Sequence, residues 1–536
     1  MARLIPALFC LLFFFEGLVF IPYIGLQSDE MLFGNALYPP KATEHAIVVA
    51  GREIPTMLMS YVGALKAWIY APLFRVWPPS AWSVRIPALA AGALTVWLFY
   101  CLERNWCGRR AALVATALLA TDAMFVLTTC LDWGPVALQH LLLVSGLLLV
   151  WHFHRSGRRR FLAAAFFAFG LAMWDKALFS WVLVGLCAAA LVVFPRDLFS
   201  RLTWRNALVA AVCFLLGAAP LVVYNYDSGL KTFRGNNTRF TADRLDHKAL
   251  VLRLSFDGSA LFGYMIRDRP ELKPIEPRDV WERTPVEINR ITGERRAGLL
   301  RFACIAAVAM LPWLWRTPAR KPMLFALVFA AVTWIQMALT RNAGGTVHHT
   351  VLLWPFPQLF VGAAFAEVSR RFRGSGRSAL AAVLLLVCAA NLAVLNQYLA
   401  QSIRFGTTTI WTDAIGPLAA YMRSLPASRV YTLDWGILEP LRALGRGRLP
   451  LSNGRDALAR EDSVHRRNWI LREMVEFPDA VFIDHTAESR LGPDGRARLE
   501  SIAQSAGYRA EVLHTVAARG GQPVFDVFRF VRRETE

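Results

Sequence analysis

Charged residues are scarce in this chain, since only 18% of its 536 residues are Asp, Glu, Lys or Arg and 55% are hydrophobic. A soluble chain of this length would usually divide into several domains and carry more charge. Its 18 Trp and 35 Phe are typical of a protein that turns apolar faces to lipid and places aromatic side chains at the membrane interfaces. The composition therefore predicts a membrane protein.

The chain also lacks the cysteine patterns of disulfide-linked or zinc-binding proteins. It has eight Cys, each in or beside an apolar segment, and none of them forms a CxxC pair. We therefore expect no disulfide framework and no zinc–thiolate site. The sequence contains no internal repeat and no Gly-rich phosphate-binding loop.

Eleven apolar segments approach the length of about 20 helical residues that crosses a bilayer core of about 30 Å. They are 4–22, 86–102, 111–130, 134–154, 161–174, 177–195, 207–224, 298–315, 322–340, 350–368 and 379–399. The expected fold class is therefore mainly α, a polytopic membrane bundle of about 11 transmembrane helices.

Arginine clusters occupy every alternate short connection between these segments. They are Arg104, Arg109 and Arg110; Arg155 and 158–160; Arg196, Arg201 and Arg205; Arg316, Arg320 and Lys321; and Arg370, Arg371, Arg373 and Arg377. This alternation is the positive-inside pattern of cytoplasmic loops. The formal net charge of +20 then follows from topology, and we expect no nucleic-acid partner. The N-terminus, which carries Arg3, is predicted to be cytoplasmic.

Three long segments fall on the opposite, outer side of the predicted membrane: 23–85, 225–297 and 400–536. The first two are outer loops of a transmembrane domain that covers 1–399, and the second loop contains the sequon Asn236-Asn237-Thr238. Within the first loop, the stretch 55–76 is predicted to form helices lying along the outer surface. A membrane crossing there would move every later basic loop to the wrong face.

Residues 400–536 lack long apolar runs. Strands are predicted at 429–434, 479–484 and 523–531, with a helix at 491–506. The region is therefore expected to be a small extracytoplasmic α/β domain.

The ionisable residues that topology does not explain collect at the outer ends of the predicted helices. They are Asp29, Glu30, Glu44, His45, Arg52, Glu53, Asp132, Asp175, Lys176, Arg341, His348 and His349. Ionisable groups near membrane depth are costly and tend to mark function. The alternative for any one of them is a solvated or helix-capping side chain. For Asp29, Glu30 and Asp132 together we favour a catalytic role, because scattered acids would fall on both faces.

These residue types suit the transfer of a phosphate-activated group. A carboxylate such as Asp29 can take the proton of an attacking hydroxyl. Cations such as Lys176, Arg341, His348 and His349 can stabilise the phosphate that leaves. A divalent metal ion (Mg, Mn or Zn) held by Asp29, Glu53 and Asp132 is the alternative, since hard cations take carboxylate oxygens.

Five short motifs follow one another in the first 180 residues. They are Asp29-Glu30-x-x-Phe33-Gly34, Val84-Arg85-Ile86-Pro87-Ala88-Leu89, Gly108-Arg109-Arg110-Ala111-Ala112-Leu113, Asp132 before the fourth helix, and Gly170-Leu171-Ala172-Met173-Trp174-Asp175-Lys176. Through them the chain resembles the C-type (GT-C) glycosyltransferase superfamily, in particular the family 39-like branch of protein O-mannosyltransferases and lipid A aminoarabinose transferases. The resemblance covers roughly residues 1–400 in organisation.

The resemblance implies that Asp29 is the catalytic base and that Lys176 lies near the lipid phosphate. We also expect Arg85, in the second motif, to bind the donor phosphate. The chain departs from the family at Glu53-Ile54-Pro55-Thr56, where relatives often have Glu-Lys-Pro-Pro, so that Ile54 stands at the lysine position.

The function expected from the residues and the resemblance is sugar transfer from a polyprenyl-phosphate donor to a lipid, glycan or protein acceptor. Transfer is expected to be inverting and to occur on the extracytoplasmic face of a bacterial inner membrane. The alternative is a polytopic transporter or flippase, although such proteins often show inverted repeats and midplane charges. A third alternative is a non-catalytic scaffold.

Overall fold

The computed structural model describes residues 4–234, 240–267, 273–459, 463–493 and 495–533. Arg3 and the sequon Asn236-Asn237-Thr238 lie outside the described residues. All structural statements below refer to the described residues.

The first 234 residues are mainly helical. Their helices are α1 (Leu4–Leu18), α2 (Ser28–Met31), α3 (Gly34–Leu37), α4 (Leu65–Val76), α5 (Ala81–Trp106), α6 (Arg109–Ala120), α7 (Ala123–Leu131), α8 (Val136–Ser156), α9 (Arg159–Asp175), α10 (Phe179–Val193), α11 (Pro195–Arg201), α12 (Trp204–Gly217), α13 (Ala219–Asp227) and α14 (Lys231–Arg234).

The rest of the chain carries the last membrane helices and then a mixed region. Its helices are α15 (Leu245–Phe256), α16 (Val280–Thr292), α17 (Leu300–Leu314), α18 (Arg320–Leu339), α19 (Val347–Thr350), α20 (Phe356–Arg371), α21 (Arg373–Phe405), α22 (Ile415–Ser424), α23 (Leu438–Leu444), α24 (Gly454–Leu458), α25 (Val464–Ile470) and α26 (Gly495–Ser505).

Within the described ranges, five helical segments are long and apolar enough to cross a membrane, and eight are if each of three bent pairs forms one span. The bent pairs are α6–α7 at 58°, α10–α11 at 106° and α12–α13 at 71°. The shorter helices α1, α9 and α17 cover the remaining predicted spans. All eleven predicted segments thus lie on helices, and the multi-pass, mainly α membrane bundle is confirmed.

Local chemistry explains where the bent pairs break. Between α6 and α7, Asp122 accepts a hydrogen bond from the backbone N–H of Phe125 at 2.9 Å, which caps the new helix. Between α12 and α13, Pro220 stands in the first turn of the second helix, where a missing N–H costs nothing.

The first outer loop contains a small antiparallel sheet of β1 (His45–Val49), β2 (Arg52–Met59) and β3 (Val62–Gly63). The expectation of helix throughout 55–76 is therefore wrong for its first half and right for α4. Ala50 and Gly51 both have positive φ between the paired residues Val49 and Arg52. A two-residue turn of this kind joins the two strands of a hairpin and determines which residues of β1 and β2 pair.

The C-terminal α/β domain is built on a five-stranded sheet in the order β5-β4-β6-β8-β7. The strands are β4 (Arg429–Thr432), β5 (Leu451–Asn453), β6 (Ala480–His485), β7 (Tyr508–Ala517) and β8 (Pro523–Arg532). Strands β5, β4 and β6 are parallel, and β8 and β7 continue the sheet antiparallel. The three predicted strands and the predicted helix are present, whereas β5, β7 and the shorter helices were not predicted.

The packing places the first outer loop between the bundle and the C-terminal domain. Buried side chains of the loop, including Met31, Phe33 and Leu58, share one apolar cluster with Leu418 and Leu441 of the C-terminal domain. The conformation of the loop therefore depends on both parts of the molecule.

Candidate active site

A buried ion pair fixes the helix that follows the first membrane span. Glu30 in α2 accepts hydrogen bonds from Arg85 at 2.7 and 2.8 Å, and both side chains are fully buried. Arg85 also donates to the carbonyl oxygens of Ile24 and Gly25 at 2.6 and 2.7 Å. The structure thus places Glu30 and Arg85 in a buried ion pair that stabilises the fold. Neither side chain lines the cavity described below.

The side chain of Asp29 points away from this ion pair, about 100° around α2 from Glu30, and it is exposed. Among the described residues, its Oδ2 accepts one hydrogen bond, from the indole Nε1 of Trp133 at 3.3 Å. An accessible carboxylate with a single long hydrogen bond retains free lone pairs that can accept a proton from a substrate. Asp29 lines a cavity of about 610 Å³ that is partly open to solvent.

Asp132 holds a second cavity residue, Lys66 of α4. Asp132 ends α7 with a left-handed backbone, and its Oδ1 accepts the N–H of Ala137 at 2.9 Å. Its Oδ2 pairs with the Nζ of Lys66 at 2.7 Å, with both side chains at most 5% exposed. Lys66 also donates to the carbonyl oxygen of Glu30 at 3.3 Å. Asp132 therefore contributes to the cavity by holding the ammonium group of Lys66 in place.

Lys176 lines the cavity from the connection between α9 and α10, where its backbone bridges Val62 of β3. Its Nζ donates to the carbonyl oxygen of Gly134 at 3.2 Å, and the residue is 3% exposed. Burial lowers the pKa of Lys176 to about 8, against the opposing charge of nearby carboxylates that include Asp29. A buried ammonium held mainly by a carbonyl is well suited to receive an anion, because an unpaired buried charge is costly.

Aromatic side chains close the cavity between the carboxylate and the lysines. The ring of Trp133 stacks on Tyr264 with centroids 4.9 Å apart and meets His348 at 4.5 Å. Tyr61 and His348 line the same cavity as Asp29, Lys66 and Lys176. The cavity thus has a carboxylate, two cations and flat apolar walls, the usual composition of a site that orients a polar ligand.

Three predicted site residues lie elsewhere. Arg341 and Glu53 are exposed and do not line the cavity. His349 is buried behind His348, where its Nδ1 contacts the hydroxyl of Thr346 at 2.9 Å. Among the described residues, no three His, Cys, Asp or Glu side chains lie together as a metal site, so Asp29, Glu53 and Asp132 are not brought together as ligands.

Sequence reasoning missed Lys66, which the structure places at the centre of the site. A signal was available, because Lys66 is the one charged residue between Glu53 and Arg75 in an otherwise apolar stretch. Asp175, next to Lys176, is fully buried, and neither of its carboxylate oxygens has a hydrogen-bond partner among the described residues.

Comparison with known proteins finds that this chain is similar to membrane glycosyltransferases. Residues 62–224 match the family model of dolichyl-phosphate-mannose-protein mannosyltransferases. The matched range contains Lys66, Asp132 and Lys176 but begins after Asp29. No curated protein matches the chain.

Solved structures share the whole architecture. ArnT from Cupriavidus metallidurans bound to undecaprenyl phosphate superposes with a TM-score of 0.59 at 15% identity, covering 98% of this chain and 97% of that chain. The Archaeoglobus fulgidus oligosaccharyltransferase AglB, in complex with an inhibitory peptide and a dolichol-phosphate, gives 0.50 at 11% identity, covering 98% and 74%. Together with the helix order and the position of the first outer loop, these likenesses show that the chain has the fold of the C-type (GT-C) membrane glycosyltransferases.

Proposed function

We propose that this protein is a glycosyltransferase that moves a sugar from a polyprenyl-phosphate donor to a lipid, glycan or protein acceptor. The observation that carries the proposal is the cavity in which the exposed carboxylate of Asp29 faces the buried ammonium groups of Lys66 and Lys176. An acid and cations in one site match the two needs of the reaction, a proton acceptor and a site for the leaving phosphate.

Lys66 and Lys176 are the proposed phosphate-binding residues. Lys66 is oriented by Asp132, and Lys176 is oriented by the carbonyl of Gly134. Charge-assisted hydrogen bonds from both ammonium groups would hold the phosphate of the donor and stabilise the negative charge that grows on it as it leaves. The fold supports this assignment, because the similar ArnT structure holds undecaprenyl phosphate.

Asp29 is the proposed general base. The acceptor hydroxyl gives its proton to the carboxylate, the acceptor oxygen forms a bond to the anomeric carbon, and the bond from that carbon to the phosphate oxygen breaks. Polyprenyl phosphate leaves with the electron pair. Because the acceptor attacks opposite the leaving phosphate in a single displacement, the anomeric configuration inverts. The ring of His348, which lines the cavity, would pack against the sugar.

The proposed location of the reaction is the extracytoplasmic face of a bacterial inner membrane. The arginine clusters mark the other end of the bundle as cytoplasmic. The C-terminal domain, which packs on the first outer loop, then lies outside, where a carrier lipid and its acceptor can meet.

Asp29→Asn tests the proposal, with Glu53→Gln as a matched control from the same loop. Both changes remove one carboxylate and keep its shape. In membranes supplied with a labelled polyprenyl-linked sugar, we expect Asp29→Asn to lower kcat by about 10²- to 10⁴-fold, the usual contribution of a general base. Glu53→Gln should be unaffected, since Glu53 lies on the exposed hairpin.

Full activity of Asp29→Asn at normal expression would eliminate Asp29 as the base. A transporter or flippase would instead move a solute or lipid across sealed vesicles without forming a covalent product. Loss of such movement in Asp29→Asn, with no glycosyl product from the wild-type protein, would favour that alternative.

A further inference from the structure

The helix α16 exposes an apolar stripe outside the predicted membrane segments. Val280, Trp281 and Ile291 are 71%, 83% and 78% exposed, and Ile288 is 41% exposed. At 100° per residue these four positions lie on one side of the helix. The opposite side, with Glu282 and Pro285, is buried. One face of the helix thus packs on the protein, and the other is an apolar face that is largely uncovered by the described residues.

Contacts with α21 set the depth of α16. The side-chain amide of Asn396 donates to the carbonyl oxygen of Pro285 at 2.9 Å. Further along the chain, Gly298 packs so closely on Asn391 that an added Cβ would meet its Oδ1 at 2.6 Å. Both asparagines lie in the last part of the apolar segment 379–399. The backbone N–H of Ile275, just before α16, donates to the carbonyl oxygen of Arg404 at 2.7 Å. Helix α16 therefore descends obliquely beside the outer end of a membrane-crossing segment.

The exposed stripe continues into a surface that faces lipid. Helix α17 begins eight residues after α16 and exposes Phe302 and Ile305, at 52% and 56%, over the length of a membrane span. A tryptophan such as Trp281 is the residue type that favours the headgroup level. These features indicate that a phospholipid bilayer covers the stripe.

The docked face of α16 holds the C-terminal domain. The carboxylate of Glu282 pairs with Arg519 of the turn between β7 and β8 at 2.5 Å, with both side chains at most 12% exposed. The backbone N–H of Arg519 donates to the carboxylate of Asp413 at 3.2 Å. The same helix therefore touches the bundle, the C-terminal domain and the predicted membrane surface.

We propose that α16 is an interfacial helix that inserts Val280, Trp281, Ile288 and Ile291 into the outer leaflet and seats the C-terminal domain against the bilayer. An amphipathic helix at this depth buries its apolar face at the boundary between headgroups and acyl chains. The proposal does not depend on the glycosyltransferase activity.

Photocrosslinking of the full-length protein tests this placement. Benzoylphenylalanine is introduced separately at Trp281, Ile291 and Arg290, and the protein is irradiated in nanodiscs of phosphatidylethanolamine and phosphatidylglycerol. Mass spectrometry is expected to find phospholipid adducts at positions 281 and 291. Arg290 is the matched control, because it is exposed on the same helix about 80° or more around from the apolar stripe and should give few adducts.

Two crosslinking results would overturn the proposal. The first is an absence of lipid adducts at 281 and 291, or adducts equal to those at 290. The second is a crosslinked dimer, which would show that a second copy of the chain covers the stripe. The double variant Trp281→Ser/Ile291→Ser gives an independent readout, since hydrogen exchange in α16 should increase while exchange in α21 is unchanged. Unchanged exchange in α16 would also contradict the proposal.

Discussion

At the scale of single residues, the titration of Lys176 gives the cavity a pH dependence. The ammonium form is the proposed phosphate ligand, and burial, which disfavours its charge, lowers the pKa of Lys176 to about 8. The charged form is complete well below pH 8 and is lost as the pH rises through 8. Donor binding should therefore weaken on the alkaline side. We expect the KM for the donor to rise about fivefold between pH 8 and pH 9, as one group deprotonates.

Lys176→Arg is the control for this pH profile, because arginine keeps its charge throughout the range. The variant should bind the donor with a KM that stays constant between pH 7 and pH 9, even if its value differs from that of the wild-type enzyme. An alkaline loss of equal size in Lys176→Arg would assign the titration to another group.

The sequence could predict which residue types the site needs but not which way each one faces. Asp29 and Glu30 are neighbours in α2, so their side chains point about 100° apart. One is exposed in the cavity and the other is buried against Arg85. Lys66 was missed because its role depends on Asp132, which is distant in sequence and is brought to it only by folding.

At the scale of elements, the orientation of α2 depends on the buried pair of Glu30 and Arg85. Arg85→Met would leave the carboxylate of Glu30 buried without its partner. Breaking a buried ion pair in this way costs about 3–5 kcal/mol. We expect a marked fall in the thermal unfolding midpoint of the detergent-solubilised protein, with loss of activity.

The double variant Glu30→Met/Arg85→Met separates the cost of the unpaired carboxylate from the cost of the lost contacts between Arg85 and the backbone. It removes both charges, so part of the lost stability should return. The carbonyl oxygens of Ile24 and Gly25 still lose their donor, which prevents a full recovery. A double variant that is as unstable as Arg85→Met would mean that the carbonyl contacts, rather than the unpaired charge, account for the loss.

Elements that follow from a single strong signal were predicted well. The bilayer imposes a length on every apolar segment, so all eleven predicted segments fall on helices of the described chain. The stretch 55–76 was different, because its apolar composition suited either a surface helix or a half-buried strand. The turn at Ala50 and Gly51 decides in favour of a hairpin up to Gly63, and the pairing partners of such a short sheet are not visible in a single sequence.

At the scale of the whole molecule, the C-terminal domain helps to position the proposed base. The hydroxyl of Ser28, next to Asp29, donates to the carboxylate of Glu439 in α23 at 2.6 Å. Arg442 of the same helix donates to the side-chain amide oxygen of Asn35 in α3. These contacts connect a domain at the end of the chain to the helices of the first outer loop. The sequence alone could not predict this link, because α23 has no motif that marks it.

This link predicts that a change in the C-terminal domain affects the chemical step. Glu439→Ala removes a hydrogen bond to a charged group, worth about 1.5–3 kcal/mol, and frees the start of α2. We expect kcat for sugar transfer to fall about tenfold, since a small misplacement of a catalytic group is costly. The KM for the donor should change less, because Lys66 and Lys176 lie on other elements.

Glu511→Ala is the matched control. It breaks an exposed pair with Arg529 at 2.7 Å on the β7–β8 ribbon and should leave kcat unchanged. Equal activity of the two variants would show that the domain does not position Asp29.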